Sequence, residues 1–145
     1  MSAQPPQLPA TPATAPAAVP PGTGTSHLCV VDAEGNVASV TTTVNIPFGA
    51  GVSVRGFWLN DEMDDFAAQP GTPNAYGLVT GEANAVAPGK IPLSSMTPTL
   101  VFMKDSPKDV MIAVGSPGGS TIPTTVLQVI SSLIDANLDP VRAVG

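Results

Sequence analysis

Apolar and β-branched residues recur from about position 26 on both sides of a short polar turn, and this pattern predicts the first structured element. Residues 26–32 and 37–45 are both rich in β-branched side chains and flank a Gly-Asn turn. Such an arrangement is typical of a β-hairpin. By the strand period of two, Thr43 and Asn45 fall on the same face of the second strand. We therefore expect these two side chains to point the same way.

Glycine and proline interrupt the pattern in the middle of the chain. Residues 46–56 contain Pro47, Gly49 and Gly51 and are expected to form a loop. Residues 57–59, Phe-Trp-Leu, are expected to be a brief buried stretch. A longer run rich in proline, glycine and asparagine, residues 69–92, follows. Loops of that length in a compact domain are usually functional or disordered.

Two further elements are predicted in the last third of the chain. Apolar runs at 99–103 and 110–114 flank a polar turn, and we expect them to pair as a second hairpin. A glycine turn at 115–120 then leads into residues 122–138. In that segment apolar residues recur at helical spacing, at Val126, Val129, Ile130, Leu133 and Ile134. The sequence thus predicts a glycine turn that opens an α-helix.

The first 24 residues lack this patterning. They carry no charge, are rich in proline, alanine and threonine, and favour extended polyproline-like conformers. They contain neither the basic segment nor the uninterrupted apolar run of a secretory signal peptide. We expect residues 1–24 to be a disordered leader or linker and residues 25–145 to form one domain.

Composition excludes several classes of function. The formal net charge is −6, and the five basic residues are scattered, so no nucleic-acid-binding surface is expected. One cysteine and one histidine leave no internal disulfide and no zinc-binding spacing, and we expect no metal or organic cofactor. No stretch reaches the length of a membrane span.

The junction between leader and domain carries the first candidate chemistry. If the chain were cut before Thr25, that residue would have a free α-amine beside its hydroxyl, which places a nucleophile and a general base within one residue. His27 lies on the same strand face as Thr25, and a structural role is favoured over a relay with Thr25. Cys29 is expected to be a small apolar core residue.

Three other motifs are weak on their own. Gly118 and Gly119 precede a helix, where converging amides can form an oxyanion hole, although such a pair is more often a tight turn. Ser94 and Ser95 offer adjacent hydroxyls that could bind a carboxylate, although a simple serine turn is the favoured interpretation of this pair alone. The acidic run 61–65 is ordinarily a solvated turn, but one of its acids can also hold a substrate ammonium.

Taken together, these motifs resemble the small subunit of the γ-glutamyltranspeptidase family, over residues 25–145. The resemblance is carried by Thr-Ser-His at 25–27, Thr-Val-Asn at 43–45, the segment 60–66, the serine pair within 92–98 and the glycine turn 115–120. It implies an α+β fold, part of the αββα sandwich of N-terminal-nucleophile hydrolases. It also implies a precursor that cuts itself before the first threonine.

The resemblance assigns the reacting groups. Thr25 is implied to be the nucleophile, with its freed amine as the proton acceptor. Thr43 is implied to hydrogen-bond to Thr25 and to support both self-cleavage and turnover. The amides of Gly118 and Gly119 are implied to stabilise the tetrahedral oxyanion.

It also assigns the substrate-binding groups. Asn45, Glu62 and Asp65 are implied to bind the α-amino group of a γ-glutamyl substrate such as glutathione. Ser94 and Ser95 are implied to bind its α-carboxylate. The acceptor is implied to be water, an amino acid or a dipeptide. Trp58 and Tyr76 are candidates for lining its site, although a packing role is favoured for Trp58.

The same resemblance implies a partner and leaves alternatives. A large subunit from the same precursor is implied to supply an arginine to the substrate carboxylate, and Arg55 is not the match for it. A periplasmic or extracellular location is implied. A cephalosporin (glutaryl) acylase of the same superfamily and a non-catalytic fragment remain as alternative interpretations.

Overall fold

The computed structural model describes residues 24–145, apart from residue 75. These residues form three separate two-stranded antiparallel sheets, short 3₁₀ helices and two α-helices, so the described part of the chain is an α+β unit. The predicted leader lies outside the described residues except for Gly24. The four-layer sandwich that the resemblance implies stays a prediction.

The predicted first hairpin is confirmed. Strand β1, Thr25–Val31, pairs with strand β2, Val37–Thr43, and the register places Thr25 opposite Thr43. The turn closes through the side chain of Asp32, whose Oδ1 accepts a hydrogen bond of 2.8 Å from the amide of Asn36. The hairpin therefore brings Thr25 against Thr43, at the end of the second strand.

The two faces of this hairpin differ in burial. Thr25, His27, Thr41 and Thr43 are half-buried on one face, as the strand period predicts. The opposite face carries apolar side chains, including Val40, and is exposed. The polar face is thus the one that turns toward the rest of the described chain.

Residues 57–59 do not form the predicted buried stretch. Strand β3, Ser53–Val54, pairs with strand β4, Phe57–Trp58, in a small ribbon, and the side chains of Phe57 and Trp58 are 58% and 46% exposed. Trp58 packs edge-on against Phe48, with the ring centroids 5.3 Å apart. The aromatic residues therefore contact each other at the surface, and the prediction of burial was wrong.

The second predicted hairpin is confirmed with a tighter turn. Strand β5, Thr99–Met103, pairs with strand β6, Ser106–Val114. Met103 pairs directly with Ser106, so β6 begins four residues before the predicted start at Val110. The register shifts near Phe102, where the pairing becomes irregular.

The predicted helix is confirmed and covers every residue of the apolar pattern, but it is shorter than the predicted segment 122–138. After a 3₁₀ turn at Gly119–Thr121, helix α1 runs over Ile122–Ile134, and helix α2 follows at Pro140–Val144. Asn137 adopts a left-handed conformation with φ of 52°, which an α-helix cannot accommodate. The helix therefore ends before Leu138, the last residue of the predicted segment.

The long segment 69–92 is folded back on the domain by isolated contacts. Ala67 forms a parallel bridge with Ala85, Pro73 an antiparallel bridge with Val79, and a 3₁₀ helix covers Glu82–Asn84. The buried apolar residues among those described are few: Phe66 and Ala67, beside the bridge to Ala85, and Ile122 and Val126 on α1. No helix in the described residues is long and apolar enough to cross a membrane.

Candidate active site

A small cavity of about 50 Å³ lies at the start of β1. Its volume suits a few water-sized groups, such as the head group of an amino acid. Eight of the nine site residues predicted from the sequence line it: Thr25, Thr43, Asn45, Glu62, Asp65, Ser94, Ser95 and Gly119. The chain thus gathers residues from four distant segments around one polar pocket.

The two threonines at the hairpin end are joined through their hydroxyls. Thr25 Oγ1 donates a hydrogen bond of 3.0 Å to Thr43 Oγ1, and Thr43 Oγ1 donates one of 3.0 Å to the main-chain oxygen of Gly24. The amide of Asn45 donates to the same Thr43 oxygen at 2.8 Å. Because a hydroxyl has one proton and two lone pairs, the hydrogen-bonding capacity of Thr43 is fully used.

Asn45 reaches the cavity by a turn and not by strand alternation. Strand β2 ends at Thr43, and Asn45 has a left-handed φ of 75°, which asparagine tolerates better than most residues. Its side chain is 4% exposed, and Nδ2 donates to the main-chain oxygen of Asp61 at 2.8 Å. Thr43 and Asn45 both line the cavity, as predicted, but Asn45 is placed there by a turn and not by a continuous strand.

Glu62 and Asp65 share one side of a 3₁₀ helix, Glu62–Asp65. With three residues per turn, positions i and i+3 eclipse, so both carboxylates face the cavity while Met63 and Asp64 are exposed. Burial, and then the nearby Asp65, raise the pKa of Glu62 from 4.5 to about 7. Burial is also the main cause that raises the pKa of Asp65. Ionising both carboxyl groups, of Glu62 and Asp65, is therefore energetically unfavourable unless a cation lies beside them.

No basic side chain contributes to the shift of either carboxyl pKa. Oε1 of Glu62 is buried and has no hydrogen-bond partner among the described residues. An ammonium group supplies both a positive charge and three donors, which is what this acidic wall lacks. Among the described residues, no three of the residue types His, Cys, Asp and Glu come together to hold a metal ion.

The serine pair and the glycine turn are linked. Ser95 Oγ donates a hydrogen bond of 2.7 Å to the main-chain oxygen of Gly119. Ser94 Oγ accepts one of 3.2 Å from the amide of Met96, and its side chain is exposed. The proton of Ser94 therefore remains free for a ligand, whereas that of Ser95 is engaged.

Gly118 is the predicted site residue that does not line the cavity. Gly118 and Gly119 have φ values of 140° and 56°, conformations that side chains rarely adopt. Within the described part of the chain, neither amide donates to another group. The two amides remain available to an anion, and their role as an oxyanion hole stays a prediction.

Tyr76 contributes more to the site than the sequence indicated. Its hydroxyl donates to both the main-chain oxygen and Oδ1 of Asn45. Burial and the acidic cluster raise the pKa of Tyr76 to about 12, so it stays a neutral donor.

The side chain of Asn74 holds the turn that carries Tyr76, since Asn74 Oδ1 accepts hydrogen bonds from the amides of Tyr76 and Leu78 at 3.0 and 2.9 Å. An asparagine two residues before a tyrosine is a weak sequence signal for this arrangement. Trp58 and Arg55 do not line the cavity.

His27 and Cys29 lie outside the cavity. His27 Nδ1 is 2.9 Å from Thr41 Oγ1 and Nε2 is 3.2 Å from Cys29 Sγ, so the ring is held by neighbours other than Thr25. This geometry agrees with the structural role favoured from the sequence. Cys29 is exposed, so its prediction as a core residue was wrong: it lies in the half of β1 nearer the turn, where residues 28–31 are all exposed.

Comparison with known proteins gives one consistent family. Residues 2–145 match the family model described as Gamma-glutamyltranspeptidase. The chain is 52% identical over 121 residues to the glutathione hydrolase proenzyme of Escherichia coli (strain K12), covering 82% of this chain and 20% of that protein. It is 49% identical over 123 residues to the proenzyme of Pseudomonas aeruginosa, covering 83% of this chain and 22% of that protein.

A solved structure of a γ-glutamyltranspeptidase variant from Helicobacter pylori is similar in sequence and in fold. The TM-score is 0.76 and the identity 53%, over 82% of this chain and 63% of that chain. The chain thus spans about a fifth of the length of the curated relatives it matches.

Proposed function

The chain belongs to the γ-glutamyltranspeptidase family, and we propose that it forms the catalytic part of an enzyme that transfers γ-glutamyl groups. The substrate is glutathione or a related γ-glutamyl amide, and the acceptor is water, an amino acid or a dipeptide. The observation that carries this proposal is the convergence of Thr25, the two half-buried carboxylates of Glu62 and Asp65, and a serine pair on one small cavity.

Thr25 is the proposed nucleophile, released by scission of the Gly24–Thr25 bond. Its hydroxyl already donates to Thr43, which holds it at the cavity wall. After scission the α-amine of Thr25 takes the hydroxyl proton as the oxygen attacks the γ-carbonyl carbon of the substrate. The amides of Gly118 and Gly119 then stabilise the oxyanion.

The head group of the substrate is proposed to fix its position. Its ammonium fits beside Glu62 and Asp65, where a cation offsets the cost of burying two carboxylates. Asn45 lines the same cavity, and Ser94 offers a free hydroxyl to the α-carboxylate. A glutaryl group lacks the ammonium, so this acidic wall disfavours the acylase alternative.

A large subunit from the same precursor is the proposed partner. The E. coli and P. aeruginosa relatives are named proenzymes. In the described residues many large apolar side chains are exposed, including Leu28, Val30 and Val40 on the outer face of the first hairpin. A second subunit that covers such faces would complete the core and the proposed αββα sandwich.

The proposal is tested by intact-mass analysis of the complete proenzyme and by turnover of γ-glutamyl-p-nitroanilide. We expect a new N-terminus at Thr25, and Thr25→Ala should abolish both scission and turnover. Thr124→Ala is the matched control, because Thr124 is exposed on helix α1 and does not line the cavity. Turnover in the Thr25→Ala protein, or a preference for a glutaryl amide, would contradict the proposal.

A further inference from the structure

The main-chain oxygen of Gly24 is held by two hydrogen-bond donors. The amide of Val44 donates to it at 2.9 Å, and Thr43 Oγ1 donates to it at 3.0 Å. This oxygen belongs to the peptide bond that precedes Thr25. Two donors at about 3 Å from one carbonyl oxygen are the arrangement that stabilises a developing oxyanion.

The chain holds both donors in place before any reaction. The lone pairs of Thr43 Oγ1 accept from Thr25 and Asn45, so its proton is directed to Gly24. Val44 is fixed from its other side, because its own carbonyl oxygen accepts a hydrogen bond of 3.2 Å from the amide of Asp61. Donors that need no reorganisation contribute most to transition-state stabilisation.

We propose that the amide of Val44 and the hydroxyl of Thr43 form a dedicated oxyanion hole for self-cleavage. It is separate from the glycine turn at Gly118 and Gly119, which serves the substrate carbonyl during turnover. This inference rests on the proposed function, since it concerns scission of the Gly24–Thr25 bond.

Scission of the Gly24–Thr25 bond would proceed as an N-to-O acyl shift followed by hydrolysis of the ester. Thr25 Oγ1 bonds to the carbonyl carbon of Gly24, and the negative charge on the carbonyl oxygen is held by Val44 and Thr43. The C–N bond then breaks, and the proton lost by the Thr25 hydroxyl ends on the Thr25 nitrogen. Water next cleaves the resulting ester, giving a carboxylate on Gly24 and restoring the hydroxyl of Thr25.

The test replaces the amide of Val44 by an ester, using α-hydroxyvaline at that position of the complete proenzyme. The control ester is placed at Leu59, whose amide donates a comparable main-chain hydrogen bond of 2.9 Å to Val52, away from the cavity. The rate of scission is followed by intact mass. We expect the Val44 ester to slow scission by about 100-fold and the Leu59 ester to leave the rate unchanged.

Equal rates in the parent and the Val44 ester, or equal slowing by both esters, would overturn the inference. A parent that is never cut would instead overturn the proposed function. Hydrogen exchange in the uncleavable Thr25→Ala proenzyme gives a second test that needs no ester. The Val44 amide should be protected there and lose its protection in the mature parent, and an unprotected Val44 amide in Thr25→Ala would overturn the inference.

Discussion

The hydroxyl of Ser95 donates its proton to the main-chain oxygen of Gly119 at 2.7 Å, and this contact ties the serine pair to the glycine turn. A serine hydroxyl has only one proton, and a carboxylate can only accept. Ser95 in this geometry therefore holds the glycine turn, while the neighbouring Ser94 retains a proton that it could donate to the proposed substrate carboxylate. The two adjacent serines are thus expected to differ in function.

Substituting each serine by alanine should separate these functions. Ser94→Ala is expected to raise KM for the γ-glutamyl donor about tenfold, because one hydrogen bond to a charged group is lost. Ser95→Ala is expected to lower kcat by about tenfold, because the Gly119 peptide loses its anchor. Steady-state kinetics measure both effects, with Ser53→Ala in the surface ribbon as the control. The same kinetic change in both variants would contradict this assignment.

Tyr76→Phe tests how firmly Asn45 must be held. The substitution removes the hydroxyl that donates to the main-chain oxygen and Oδ1 of Asn45. We expect KM for the γ-glutamyl donor to rise about fivefold, the equivalent of one hydrogen bond of ~1 kcal/mol. Initial-rate measurements give the value, and Phe48→Leu at the surface is the control. An unchanged KM would mean that Asn45 is positioned without Tyr76.

Stability should fall as the pH rises through the titration of Glu62. The pKa of Glu62 is raised from the ordinary glutamate value of 4.5 to about 7 in the folded protein, chiefly by burial. A carboxyl with a raised pKa binds its proton more tightly in the folded state than in the unfolded state. Its contribution is therefore complete below about pH 4.5 and is lost as the pH approaches 7.

Thermal unfolding of the Thr25→Ala proenzyme between pH 4.5 and 7 measures this contribution. The fall in Tm across that pH range should be smaller in the double variant that also carries Glu62→Gln, because glutamine cannot ionise. Glu82→Gln is the matched control, because Glu82 is exposed and does not line the cavity. A pH dependence of Tm that Glu62→Gln leaves unaltered would show that Glu62 is not the group responsible.

Local patterns in the sequence predicted the elements well. Both hairpins and the helix that begins at Ile122 follow from periodicity and from the turn residues between them. The cavity residues were predicted through the family resemblance, and eight of nine lie together. Their roles in binding and catalysis stay predictions until the variants above are measured.

What the sequence did not predict depends on contacts between distant segments. Tyr76 reaches Asn45 across 31 positions, and nothing in the local pattern of either segment encodes that meeting. Phe57 and Trp58 are hydrophobic but exposed, because no described element covers their ribbon. The i, i+3 spacing of Glu62 and Asp65 places both on one side only because the segment is a 3₁₀ helix.

Gly24→Ala tests whether the residue before the cut must be glycine. Gly24 has a φ of 92°, and a Cβ there would lie 2.4 Å from the main-chain oxygen of Asn45. We expect scission to slow by about 100-fold, because a displacement of ~1 Å at a reacting group costs that much. Gly35→Ala is the control: its φ is 85°, but its Cβ would meet nothing within 4 Å. Equal scission rates in both variants would contradict the prediction.

Gly115→Ala should disturb the domain through His27. A Cβ on Gly115 would lie 2.2 Å from Nδ1 and Cε1 of His27, whose ring is held by Thr41 at 2.9 Å. Overpacking of this kind costs about 1–3 kcal/mol of the free energy of unfolding. Urea unfolding of the Thr25→Ala proenzyme gives the value, and Gly81→Ala, where a Cβ meets no neighbour within 4 Å, should have no comparable effect.

The double substitution of Gly115 and His27 distinguishes a clash from a general intolerance of alanine. If the loss of stability arises from contact with the imidazole ring, Gly115→Ala should cost much less once His27→Ala has removed that ring. The two effects would then be strongly non-additive, as expected for residues in direct contact. Additive losses would show that the cost of Gly115→Ala does not arise from contact with the imidazole ring of His27.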